Sequence, residues 1–283
     1  MAEVDLAMAA RAARERSRTG VDMARVFAGL GLSLVLFFLI LPTLIVISMS
    51  VGTSSYIAFP PEGFTFKWYA QYFQDPDWMA ATWFSLRIAG ITTLAATVIG
   101  TLAAIALVRG CLPGKEFVQA VTIAPLVVPH IVVAVALYLT FAPLGLTGNL
   151  YGFVIAHTML AVPYVVITVG AALQRFDPAL ELAALNCGAT RLQAFFHVVL
   201  PNILPGVAAG GVFAFLASFD EATVAFFISG IEGKTITRKM FEDIDFNLTP
   251  VIAAVSTVLT LVSLALMGTI EIARRRNEAN SDG

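Results

Sequence analysis

Apolar residues fall into six long blocks with short polar stretches between them: Val26–Met49, Phe84–Val108, Phe117–Phe141, Leu150–Leu173, Ile203–Ile228 and Leu248–Ile270. Each has the roughly 20 residues a helix needs to cross a hydrocarbon core. The pattern predicts six transmembrane helices, spans 1 to 6. Span 1 is longer than a signal-peptide core and lacks a convincing cleavage site, so it reads as a retained span. Pro42 lies inside span 1, Pro125 and Pro129 predict a kink in span 3, and Pro163 sits in the middle of span 4. Neighbouring helices can satisfy the carbonyls that such prolines free. The predicted organisation is a tail at 1–25, a six-span domain at 26–273 and a second tail at 274–283.

A polar loop is expected from Ser229 to Asn247, between spans 5 and 6, and two other polar stretches are longer. Residues 51–82 are rich in aromatic rings (Trp68, Tyr69, Tyr72, Phe73, Trp78), which favour the headgroup layer, so this insert is expected to lie along the outer surface. Residues 177–205 read as folded structure. Asp177 can cap a helix whose first residue is Pro178, where the missing N–H costs nothing. That helix is expected to run to Asn186, with Gly188 in the left-handed conformation that stops it. Thr190 and Gln193 then form a capping box for a second helix, expected to be bounded by Pro201 and Pro205. The first helix is mostly small or apolar, and its face needs cover. The chain's own spans, the lipid interface and another protein are the three possibilities.

Composition agrees with the periodicity. The 283-residue chain is 58% hydrophobic and only 13% charged, with mean hydropathy +0.85, against about 25% charged in a soluble domain. A net charge of -2 gives no argument for a nucleic-acid partner. Charge distribution says more. With both termini in the cytoplasm, the inner segments hold twelve cations (Arg11, Arg14, Arg16, Arg18, Arg25, Arg109, Lys115, Arg175, Arg191 and Arg274 to Arg276). The outer segments hold four: Lys67, Lys234, Arg238 and Lys239. Twelve against four places the 177–205 loop inside. Cys111 and Cys187 lie in separate inner loops, where a disulfide is not expected.

Candidate chemistry is sparse. Ser218-Phe219-Asp220-Glu221 is the one unpaired polar cluster deep in an apolar run. Intramembrane carboxylates are costly and usually face a bundle interior or a water-filled path. Asp220 lies about 26 Å along span 5 from Ile203, near its outer third. Either Asp220 and Glu221 line a path that attracts a cation, or they sit solvated at a helix end or paired with Arg87. Adjacent helical positions diverge by about 100°, so at most one of the two is expected to face the path squarely, with Asp220 slightly preferred. His130, after Pro129, and His157 in span 4 either line that path or pack; His197 packs in the inner loop. The three histidines share no helical face and predict no metal site. Gly230 to Thr235 looks like a phosphate-binding loop but lacks the required glycine at 228. No catalytic constellation and no nucleotide or cofactor site is legible.

Several stretches resemble one family. Ala183, Ala184 and Gly188, followed by Val198-Val199-Leu200-Pro201, resemble the EAA loop of ABC-importer permeases, which seats a coupling helix in a cleft of a cytoplasmic ATPase. The family's glutamate position holds Leu182 here, with Glu181 one residue earlier. FPPEGFTFKWYAQYF in the outer insert, HTMLAVPYVV in span 4 and FAFLASFDEATVAFFISG in span 5 resemble the spermidine/putrescine branch. The resemblance implies an all-α, MetI-like type I permease fold in a bacterial inner membrane. It further implies that Glu181, Leu182, Ala183, Ala184, Gly188, Leu200 and Pro201 meet the ATPase, and that Asp220, Glu221 and His130 border the solute path. The implied partners are a second permease chain, two ATPase subunits that bind the ATP, and an outer solute-binding protein, around a permease that is not itself an enzyme. A channel or secondary transporter would share the spans and the acids but would have no use for the apolar inner helices. A permease for another small solute, such as an amino-acid derivative, also fits.

Overall fold

The computed structural model describes residues 2–230, 233–246 and 248–281, and every regular element in it is helical. α1 (Ala2–Met49) joins the N-terminal tail and span 1 in one rod. The side chains of the tail arginines (Arg11, Arg14, Arg16, Arg18 and Arg274 to Arg276) fall outside the described residues. α2 (Lys67–Gln74) precedes α3 (Pro76–Arg109), which contains span 2. Span 3 is α4 (Lys115–Val127) plus α5 (His130–Phe141), span 4 is α6 (Leu150–Arg175), and α7 (Pro178–Asn186) follows. α8 (Arg191–Ala194), a π turn at Phe195–Val199 and α9 (Leu200–Phe219) form one apolar rod. α10 (Thr223–Ile228), α11 (Ile236–Phe246) and α12 (Pro250–Ser281) complete the order. Among the described residues, five helices are long and apolar enough to cross a membrane, and the bent pair α4 and α5 makes a sixth when taken as one broken span.

α3, α6 and α9 form the centre. Their interface is built from Ala96, Ala104, Ala161, Val165, Val169, Ile203 and Ala214, all fully buried. In lipid, helices gain little from hiding apolar surface, so they associate where small residues let backbones approach. A Cβ on Gly100 would lie 2.6 Å from the Val165 Cβ, and one on Gly206 2.6 Å from the Ala172 Cβ. On Gly210 it would lie 2.5 Å from the Thr168 hydroxyl and 3.1 Å from the Val165 Cα. Gly206 and Gly210 are four apart and face α6 together. α1 packs on α12 but leaves Phe27, Leu34 and Phe38 exposed, as a lipid-facing helix would.

Five expectations need correction. Span 3 is broken rather than kinked: Val128 takes an extended conformation ahead of Pro129, and α4 and α5 meet at 103°. The proline ring disfavours the helical region for the residue before it, which favours this backbone at Val128. Second, Pro201 and Pro205 do not bound the helix after Thr190. The ladder shifts to i→i+5, Leu200 N–H bonding the Phe195 carbonyl, just ahead of Pro201, which lacks an N–H of its own, so the rod runs on to Phe219. Third, span 5 starts at Arg191 and stops at Phe219, not at Ile228; Asp220 to Ala222 are non-helical and α10 begins anew. Fourth, most of the polar stretch 229–247 is the amphipathic helix α11, packed on α3 and α12. Within it, positions 231 and 232 of the phosphate-loop look-alike lie outside the described residues.

Fifth, the aromatic insert folds against the bundle instead of spreading over the surface. Trp68, Tyr72 and Trp78 are buried with Val251, Ala254 and Val255 of α12. The Trp68 indole donates to the Gly52 carbonyl at 2.8 Å, and the Tyr69 and Ser50 hydroxyls meet at 2.7 Å. Tyr72 hydrogen-bonds Thr82, and burial pushes its phenol up. Phe59, Phe64, Phe73 and Trp83 remain exposed.

Close packing gives a direct test. Gly210→Val should force α9 off α6, costing about 1–3 kcal/mol and lowering the temperature at which detergent-purified protein loses its monodisperse peak. Gly90, with nothing within 4 Å of its added Cβ, should accept valine with little change.

Candidate functional site

At the end of the bundle where α3 and α6 terminate, α7 is fixed at both ends as expected. Asp177 Oδ1 accepts from Ala179 N–H at 2.9 Å, Pro178 occupies the first turn and Gly188 takes φ +91°. Thr190 and Gln193 close the reciprocal box: Gln193 Oε1 accepts from Thr190 N–H at 2.8 Å and Thr190 Oγ1 from Gln193 N–H at 3.3 Å. None of the α7 residues is buried. Leu182 is 60% exposed, Leu180, Ala183 and Gly188 are also exposed, and Ala184 is half-buried. The chain's own spans therefore leave the apolar face of α7 uncovered.

Glu181 does not share that face. Its Oε2 lies 2.6 Å from Arg109 Nη1, on the last turn of α3. The Arg109 guanidinium also lies 5.1 Å from the centroid of Phe176, a buried ring where α6 gives way to α7. Arg109 had counted only as an inner-loop charge, and a pairing across 72 residues leaves no local signal. Leu182, about 100° further round the helix, points away from this clasp into solvent. Leu200 packs on the central core beside fully buried Val199, while Pro201 is exposed at the joint between the π turn and α9. His197 bonds the Gln193 carbonyl at 3.0 Å and stays on the surface.

The second candidate lies at the two breaks. α5 and α10 pack against each other, with Ala134, Phe141, Val224, Ala225 and Ile228 in their shared core. Glu221 is 7% exposed. One of its carboxylate oxygens accepts from Val224 N–H at 2.8 Å, and the other lies 3.3 Å from His130 Nδ1. His130 itself is half-exposed at the start of α5. The Glu221 carbonyl accepts from Thr237 Oγ1 at 3.1 Å, which ties the break to α11. Asp220, at the end of α9, is exposed. Because these residues occupy a break, the 100° rule for neighbours on a helix does not apply: Glu221 turns inward and Asp220 outward. Arg87 pairs with neither carboxylate. His157 is buried one turn away, its Nδ1 2.9 Å from Ser218 Oγ and 3.0 Å from the Ser218 carbonyl, so it packs between α6 and α9. Cys111 and Cys187 are exposed thiols with no disulfide between them.

Known proteins resemble this chain in sequence and in fold. Residues 96–276 match the family model described as "Binding-protein-dependent transport system inner membrane component". The spermidine/putrescine transport system permease protein PotC of Escherichia coli (strain K12) is 30% identical over 260 residues, covering 92% of this chain and 98% of the relative. The putrescine transport system permease protein PotI of the same strain is 30% identical over 240 residues, 82% of this chain and 85% of the relative. The fold matches a chain of a bacterial alginate ABC transporter crystallised with an alginate pentasaccharide-bound periplasmic protein. There the TM-score is 0.70 at 18% identity, covering 89% of this chain and 94% of that one. A multi-pass helical bundle with this family match across its centre admits one assignment: the chain belongs to the inner-membrane components of binding-protein-dependent transport systems, as a permease subunit.

Proposed function

We propose that this permease forms half of the translocation path of an ATP-driven polyamine importer, with the nucleotide bound by separate ATPase subunits that grip α7. The observation that carries this reading is α7 itself: a helix capped at both ends, apolar on its outer face, and braced on the bundle by the Arg109–Glu181 pair. Lipid would cover such a face without requiring the caps or the clasp; a motor domain needs both, because a lever must not fray. The Lys and Arg bias supports placing α7 in the cytoplasm with both termini. A second permease chain would complete the path, and an outer solute-binding protein would deliver the solute. ATP-driven closure of the ATPases would move α7, and through α6 and α9 open the bundle outward.

The polyamine assignment rests on the relatives' substrates and on the acids at the break. Backbone irregularity at membrane depth is tolerated where it is buried or lines a water-filled cavity. Asp220 offers an exposed carboxylate there, and Glu221 a buried one that a primary ammonium could reach by displacing His130. An outward and an inward carboxylate on successive residues offer two points of contact to a chain of spaced amines.

Three outcomes test this reading. Ala184→Trp should abolish spermidine uptake while leaving membrane insertion intact; normal uptake with normal ATPase co-purification would refute the lever. Reversing the clasp singly (Glu181→Arg or Arg109→Glu) should lower uptake about 2- to 5-fold, in line with the ~0.2–1 kcal/mol of a partly exposed pair. The double reversal should recover most of that loss. Asp220→Asn and Glu221→Gln should each reduce initial rates of labelled spermidine uptake about tenfold at unchanged expression, a loss of about 1.4 kcal/mol of interaction. Glu221→Gln retains an oxygen for Val224 N–H, so its deficit would report charge. Wild-type rates in both would make the carboxylates structural.

A further inference from the structure

Away from both sites, α3 and α11 enclose a cleft of about 510 Å³ whose walls carry Arg87, Lys234, Lys239, Asp77, Trp83 and Phe84. Three cations against one carboxylate is an unusual lining for a protein that handles a cationic solute. Lys234 Nζ is held by Glu242 at 2.8 Å and Lys239 Nζ by Asp243 at 2.7 Å, yet neither acid lines the cleft. Among the described residues Arg87 has no ion-pair partner. Asp77 stands about 15 Å further along α3, too far to serve as one.

The depth of the cleft follows from the sequence of α3. Residues 88–108 carry no charge and are closed by Arg87 at one end and Arg109 at the other. That run measures about 32 Å at 1.5 Å per residue, against a hydrocarbon core of about 30 Å. Arg87 therefore lies at headgroup level. Trp83, one turn beyond it, is 60% exposed, the position of an interfacial aromatic anchor. On the same face, Ile91, Leu94 and Val98 follow Arg87 at helical spacing, and all three are exposed. A cationic cleft at the membrane surface thus opens onto an apolar track leading into the bilayer.

We propose that this cleft binds the headgroup of an anionic phospholipid, with its acyl chains along Ile91, Leu94 and Val98. The Arg87 guanidinium can take the phosphate in a two-point contact, and the two lysines add charge that a zwitterionic headgroup would partly cancel with its own amine. A free phosphate would have no use for the track, and a soluble acidic partner could not reach it. The lipid would wedge α11 against α3, holding the helix whose Thr237 bonds the Glu221 carbonyl.

The test reconstitutes the purified protein in phosphatidylethanolamine nanodiscs doped with phosphatidylglycerol and counts retained lipids by native mass spectrometry. Wild type should retain phosphatidylglycerol about five-fold over its share of the disc, the effect of roughly one favourable charge at a membrane surface. Arg87→Gln should lose the preference and Arg87→Lys keep most of it. Equal retention of both lipids by wild type, or undiminished phosphatidylglycerol on Arg87→Gln, would overturn the proposal. Should Arg87→Gln fail to yield folded protein, Lys239→Gln replaces it: a reduced preference supports the site, and a wild-type preference refutes it.

Discussion

Contact between bare backbones at the centre of the bundle is the constraint from which the other features follow. Lipid tails are as apolar as leucine, so nothing like the hydrophobic effect drives α3, α6 and α9 together. What remains is dispersion, which decays within fractions of an ångström of the contact distance. Gly100, Gly206 and Gly210 remove the side chains that would stand between the helices, and Val165, Thr168 and Ala172 of α6 fill the space from the other side. The same three helices end together where Arg109, Phe176 and the π turn meet α7. A helix fixed there is fixed to the whole centre of the bundle. Shift α9 off α6 and the base beneath α7 divides.

Around that rigid centre, irregular backbone is concentrated where it can be used. Spans 3 and 5 are both broken, at Val128-Pro129 and at Asp220 to Ala222, and the fragments beyond the breaks, α5 and α10, pack on each other. Each break alone would strand polar backbone groups in the membrane. The two breaks meet at Glu221: its carboxylate accepts from Val224 N–H of α10 and lies against His130 at the start of α5, while its carbonyl accepts from Thr237 of α11. A buried carboxylate with two such neighbours is expensive to create and more expensive to orphan, which argues that the breaks and the acid form one device.

Local chemistry was legible in the sequence; long-range chemistry was not. The caps of α7 and α8 depend on residues within three positions of one another, so Asp177, Gly188, Thr190 and Gln193 could be placed before any fold was known. The spans were legible because length and hydropathy alone decide them. Pro129 announced a disturbance in span 3, but whether proline bends or breaks a helix depends on what can take up the freed groups, and α10 is more than ninety residues away. Pro201 and Pro205 misled for the converse reason: a π turn ends just ahead of Pro201, and the helix runs on through Pro205. Gly206 and Gly210 show a spacing any reader can see, yet only the position of Thr168 reveals what they face. The aromatic insert was misplaced because Trp and Tyr serve equally at a membrane interface and in a half-polar core, and composition does not separate the two.

The position of Glu181 shows how a one-residue shift can be absorbed. In the EAA pattern the acid precedes the two alanines directly; here Leu182 stands there and the acid is one step back. On a helix that step turns the carboxylate by about 100°, from the face α7 presents outward to the face it presents to α3, where Arg109 meets it. In this chain the carboxylate is used inward, to brace α7 on α3, and the position before the alanines is an exposed leucine. Any cleft that received this α7 would have to offer apolar contact at Leu182, because an arginine placed there to meet a glutamate would be buried without a counter-charge, at a cost of several kcal/mol.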